Sequence, residues 1–128
     1  MTDPVRDYLR SREYADHVVR DGLEGLVRAW EATVQSVAAG EEQYQDDYLN
    51  DMDGRSILEE ALGVAPDAER SRWVDRVRAA DDMIRSHLIS TLECIWGEEN
   101  ANKHGYSRER DWWYYHRPMT VGQGWRSF

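Results

Sequence analysis

The chain has 128 residues, of which 41% are apolar, 32% charged and 11% aromatic, a globular mixture that fits a single domain and excludes a disordered or fibrous chain. Twenty-five acids against 16 bases leave a formal net charge of −9, so nucleic acid is an unfavourable partner, because a grip on phosphates needs clustered cations. A lone cysteine, Cys94, excludes the disulfide-stapled secreted class.

Near the N-terminus, Asp3 followed by Pro4 predicts a short opening helix, with Asp3 as its cap and Pro4 at its first position. Residues 13–39 then predict a long amphipathic helix, because Val19, Leu23, Leu26, Trp30, Val34 and Val37 recur on one 3.6-residue stripe. Gly22 and Gly25 weaken its middle and predict a bend; Gly40 suits its end. Between residues 41 and 66 the pattern is weaker. Tyr44, Tyr48, Leu49 and Met52 suggest one turn, and the capping box Ser56-Ile57-Leu58-Glu59 predicts a short helix over 56–62.

A second long stripe starts at Pro66 and runs through Val74, Val77, Ile84, Leu88, Leu92 and Ile95 to a stop at Gly97, with Ala80 or Asp81 at the one turn that lacks a clear apolar residue. The segment after it carries four consecutive aromatics, Trp112 to Tyr115, too short a run to assign to helix or strand. The expected fold is therefore all-α: a small bundle of two long antiparallel helices, short connecting helices and an aromatic C-terminal segment. Residues 1–97 form an acidic body, and residues 98–128 a basic, aromatic tail that packs on the body or on a partner. Two long helices cannot shield their own apolar stripes, so this tail, the short helices or a second subunit must cover them.

No run approaches the roughly 18 apolar residues of a membrane-spanning helix. The opening residues Met1 to Asp7 have neither the cationic start nor the apolar run of a signal peptide, so a cytoplasmic protein with no membrane contact is expected. No Glu-x-x-His pair precedes any of the four histidines, and Cys94 has no partner cysteine, so no metal and no cofactor is expected. The segment Leu49 to Gly54 mimics part of a calcium loop through Asp51, Asp53 and Glu60, but Leu49 stands where the first carboxylate ligand is required. Cys94, set between Leu92 and Ile95, suits a packed thiol rather than a nucleophile.

Two Arg–His spacings carry a family resemblance. Arg12-Glu13-Tyr14-Ala15-Asp16-His17 and Arg110-Asp111-Trp112-Trp113-Tyr114-Tyr115-His116, with Arg10 to His17 as a variant of the first, resemble the motif of HEPN-type ribonucleases. Those are small all-α domains. The resemblance implies RNA cleavage, with histidine as acid/base and arginine on the phosphate, usually in a dimer.

Two other regions stand out on charge and ring content. Residues 41–67 hold nine acids and one base, Arg55, a local field suited to a cationic partner, and Tyr44 and Tyr48 offer apolar anchors within it. In the tail, Trp112, Trp113, Tyr115 and Arg117 have the composition of a binding hot spot. If that segment is helical, Arg108 can stack on Trp112 and Arg117 on Trp113. The leading expectation is a non-enzymatic module that binds a basic protein through Tyr44, Asp46, Asp47, Tyr48, Asp51 and Asp53 together with Trp112, Trp113, Tyr115 and Arg117. Such a chain resembles immunity proteins, antitoxins and nucleic-acid-mimicking inhibitors in charge and size only. The alternatives are the HEPN-like nuclease and a self-assembling subunit, a homodimer for example, in which the tail of one chain covers the helices of another.

Overall fold

The structure is a computed structural model that describes residues 3–122 and 124–125. Helix α1 spans Pro4–Ser11, and the Asp3 carboxylate accepts from Arg6 N–H at 3.1 Å, so the cap and the N1 proline act as the sequence indicates. A turn through Glu13, held at φ 58°, leads into α2, Asp16–Ala38.

The expected bend in α2 falls at Gly22, where φ 62° and ψ −151° define a conformation open essentially to glycine alone. That break frees carbonyls of the preceding turn, and Arg6 satisfies them. Its Nε donates to Val19 O at 3.2 Å and to Arg20 O at 3.1 Å, and its Nη2 to Arg20 O at 2.9 Å. Helix α1 and the kink thus lock together.

The acidic connector differs from expectation. It is one 20-residue helix, α3, Gln45–Val64, rather than a turn and a short helix. Tyr48, Leu49, Met52, Leu58, Ala61 and Leu62 bury its inner face. Ser56 caps nothing, because its hydroxyl accepts from Trp113 Nε1 at 2.9 Å and donates to Tyr114 Oη at 3.0 Å. The calcium-like segment is therefore helical and cannot wrap an ion.

Helix α4 spans Asp67–Arg85 and stops ten residues short of Ile95. The chain then extends into β1, Leu88–Ser90, which pairs antiparallel with β2, His116–Pro118, in the register Leu88↔Pro118, Ile89↔Arg117 and Ser90↔His116. Leu92, expected on the buried stripe, is 88% exposed, whereas Cys94 and Ile95 are fully buried through a turn. Gly97 does not stop a helix but precedes the short α5, Glu98–His104.

The fold is an all-α bundle, with three long helices and two short ones among the described residues. α2 packs against α1, α3 and α4. The antiparallel partner of α2 is α3: Arg55 lies over Trp30, and Asp51 hydrogen-bonds Thr33. Helix α4 runs parallel to α2, because Leu23 and Trp73 line one hollow near the start of the two helices and Gln35 and Met83 line another near their ends. The second long stripe therefore lies alongside the first in the same direction rather than antiparallel to it.

Trp112–Tyr115 forms a single 3-10 turn, and all four rings are buried in the core of this same chain. They supply the cover the helices need. The cation–π pairs also differ from those expected of a helix: Arg85 lies over Trp112 at 4.1 Å, Arg55 over Trp113 at 4.5 Å and Arg108 over Tyr115 at 4.8 Å. Beyond β2, Gly122 N–H and Trp125 Nε1 both reach Gln43 O, at 2.8 and 2.6 Å, which ties the tail to the start of α3.

Candidate functional site

Heptad spacing sets Asp46, Asp53 and Glu60 on one face of α3, a stripe about 21 Å long at 1.5 Å per residue. Asp46 and Asp47 occupy the first turn, where their charge favours the positive end of the helix, and both are exposed beside Tyr44, which is 52% exposed. Further along, the stripe enters a cleft of about 590 Å³. Arg12 and Tyr14 form one rim, and α3 supplies Asp53, Ser56, Ile57 and Glu60. Trp96, Asn100, His104, Tyr106 and Tyr114 complete the walls.

Each carboxylate of the cleft is held through one oxygen. Asp53 Oδ1 accepts from Tyr114 Oη at 2.6 Å and from Trp96 Nε1 at 3.0 Å. Glu60 Oε2 accepts from Tyr8 Oη at 2.7 Å and from Tyr14 Oη at 3.4 Å. Among the described residues, no hydrogen bond reaches Asp53 Oδ2 or Glu60 Oε1, and no side-chain ion pair engages either group. The phenols remain protonated donors. Burial, reinforced by Glu60, pushes Tyr8 up to about 12, and burial raises Tyr14 and Tyr106. Burial and the bond to Asp53 hold Tyr114 far above the usual phenol range. The rings are also stacked on one another, Tyr106 on Tyr114 at 4.5 Å and His104 on Tyr106 at 5.3 Å.

A second carboxylate–arginine cluster lies deeper. Arg55, the single base of the acidic segment, is 4% exposed and forks onto Asp81, Nε to Oδ1 at 3.0 Å and Nη2 to Oδ2 at 2.8 Å. Its Nη1 donates to Glu59 at 2.9 Å, and Trp30 Nε1 donates to Asp81 Oδ1 at 2.9 Å.

The residues singled out from the sequence separate into three places. Tyr44, Asp46 and Asp47 stay on the surface, and Asp51 is half-buried. Burial, opposed by a bond from Thr33, raises the Asp51 carboxyl. Asp53 lines the cleft. Tyr48, Trp112, Trp113 and Tyr115 are buried within the fold, so they present no open face; Arg117 sits half-buried on β2 with Nη1 on Pro118 O at 3.0 Å. The cleft residues that sequence reasoning missed are Tyr14, Glu60 as a cleft group, Trp96, Asn100, His104, Tyr106 and Tyr114. Only the seven-residue spacing of Asp46, Asp53 and Glu60 could have signalled them.

Neither Arg–His pair lies within one helix. Arg12 caps the end of α1 while His17 is exposed on the first turn of α2. Arg110 is held by Asp111 and by Gly105 O, and His116, at the start of β2, has its Nδ1 2.8 Å from Trp112 O of the 3-10 turn. Cys94 is buried, and burial pushes its thiol up, away from a reactive thiolate. Among the described residues, no group of three or more His, Cys, Asp or Glu side chains could hold a metal ion, and no helix is long and apolar enough to cross a membrane. Comparison with protein-family models, curated proteins and solved structures found no match to this chain.

Proposed function

We propose that this chain is a non-enzymatic interaction module that binds a basic protein segment along the acidic face of α3. The observation that carries the reading is the cleft: two carboxylates seven residues apart, each with one oxygen free of any donor among the described residues, set between aromatic walls. Carboxylates that line a concave, ring-lined space attract a cation while the rings supply apolar contact. Asp46 and Asp47 extend the same negative field towards the start of the helix and steer the encounter.

The test uses oligo-arginine and oligo-lysine peptides, with oligo-glutamate as control, against the full chain and two charge-reversed variants. One carries Asp46→Lys with Glu60→Lys. The other carries Asp75→Lys with Asp82→Lys, on exposed positions of α4, and has the same net charge. Cationic peptides are expected to bind, and to weaken by about tenfold between roughly 0.05 and 0.5 M salt. Only the α3 variant should lose them. Equal loss in both variants, or binding indifferent to salt, would overturn the reading.

A further inference from the structure

Deep in the fold lies an occupied guanidinium site, and the cleft holds the framework of a similar one. In the occupied site an aspartate is fixed by a tryptophan indole, Trp30 Nε1 to Asp81 Oδ1 at 2.9 Å. Arg55 reaches both Asp81 oxygens with its guanidinium 4.5 Å from the centre of the Trp113 ring. In the cleft, Asp53 is fixed the same way, Trp96 Nε1 to Oδ1 at 3.0 Å. Tyr114 Oη takes the place on Oδ1 that Arg55 Nε takes on Asp81, and Oδ2 receives no donor among the described residues. Beside it stand the half-buried rings of Trp96 and Tyr106, and Asn100, whose Nδ2 donates to Trp96 O at 2.9 Å and whose Oδ1 receives no donor among the described residues.

From this repetition we infer that the cleft is an arginine-recognition site: a partner's guanidinium bonds Asp53 Oδ2 and stacks on the cleft's aromatic wall. The inference rests on the proposed binding of a basic segment and names the side chain that enters. A planar guanidinium satisfies a carboxylate edge and a ring face together, whereas an ammonium is a compact, strongly hydrated point charge that needs to shed water to enter. The open volume suits a side chain of that size with part of its backbone. Glu60, about 10 Å along the helix from Asp53, adds attraction without bridging the same group. Arg12, the chain's own exposed cation at the Tyr14–Glu60 rim, opposes entry.

The indole N–H resonances of isotopically labelled full-length protein report directly on the site, with Trp96 identified from the spectrum of Trp96→Phe. N-acetyl-arginine amide and N-acetyl-lysine amide are the probes. The arginine probe is expected to move the Trp96 resonance saturably, with a Kd of about 1–10 mM, as befits one small side chain, and at least about threefold tighter than lysine. Asp53→Asn should abolish the shift, and Arg12→Ala should tighten binding about twofold. If Asp53→Asn fails to fold, the wild-type comparison of the two probes decides alone. A Trp96 resonance that stays still, or that responds equally to both probes, overturns the arginine site. Should salt-dependent binding of cationic peptides to the α3 face persist in that case, the interaction reading survives without it; should it vanish as well, both fall.

Discussion

Replacing Arg55 with methionine keeps most of the side-chain volume and removes the charge and its hydrogen bonds, so it isolates the buried ion pair from cavity effects. The guanidinium makes three bonds to carboxylates and lies over Trp113, while Asp81 is only 14% exposed and would be left facing apolar surroundings. Stranding one partner of a buried pair costs about 3–5 kcal/mol. Asp81 keeps its indole donor and some water, and Glu59, 55% exposed, is readily rehydrated, so about 3 kcal/mol is expected. With a urea slope of about 1–3 kcal/mol per molar, the unfolding midpoint should fall by roughly 1–3 M. Adding Asp81→Asn removes the stranded charge and should restore about half of the loss, since contacting residues are not additive. An Arg55→Met protein within about 1 kcal/mol of the parent, or a double variant that loses the full sum of the two single changes, would refute this account.

Gly22→Ala places a Cβ 3.2 Å from Arg6 Nη2 and forces alanine into a glycine-only conformation. Thermal unfolding should show a loss of about 1–3 kcal/mol, unlike an alanine at Gly63, which is exposed and meets nothing within 4 Å. Tyr8 is raised to about 12, so the folded chain keeps a proton that the unfolded chain gives up near pH 10. The stability it contributes is complete below about pH 10 and disappears as pH climbs through about 12, and urea midpoints for Tyr8→Phe should fall less steeply over that window. Leu92→Ser should change stability by less than about 0.5 kcal/mol, whereas Ile95→Ala should cost about 2–5 kcal/mol. The reverse order would mean that α4 continues past Arg85.

The two gaps in the apolar patterns are the instructive failures. The stripe of α3 breaks at Arg55, which splits that helix into a turn and a short helix for a reading based on hydrophobic period. The break at Asp81 falls inside α4, which the period still shows as one helix, but leaves its carboxylate without a role. In three dimensions the two gaps face each other and close as an ion pair 2.8 Å long. Leu88, Leu92 and Ile95 mislead in the opposite direction: their spacing is helical, but pairing with β2 and the buried aromatic turn holds that segment extended. Asp53 was recognisable as an acidic group of interest, but its cleft was not, because Tyr14, Trp96, Tyr106 and Tyr114 reach it from four separate parts of the chain.

Local signals were enough for the helical class, the Asp3–Pro4 start, the bend at Gly22 and the packed state of Cys94, because each depends on neighbours within a turn or two along the chain. Which rings face the core, which acid receives an arginine and which keeps a free oxygen depended on partners more than 25 residues away. Those choices belong to the tertiary structure, since only packing decides which polar groups lose their water and must find a protein partner instead.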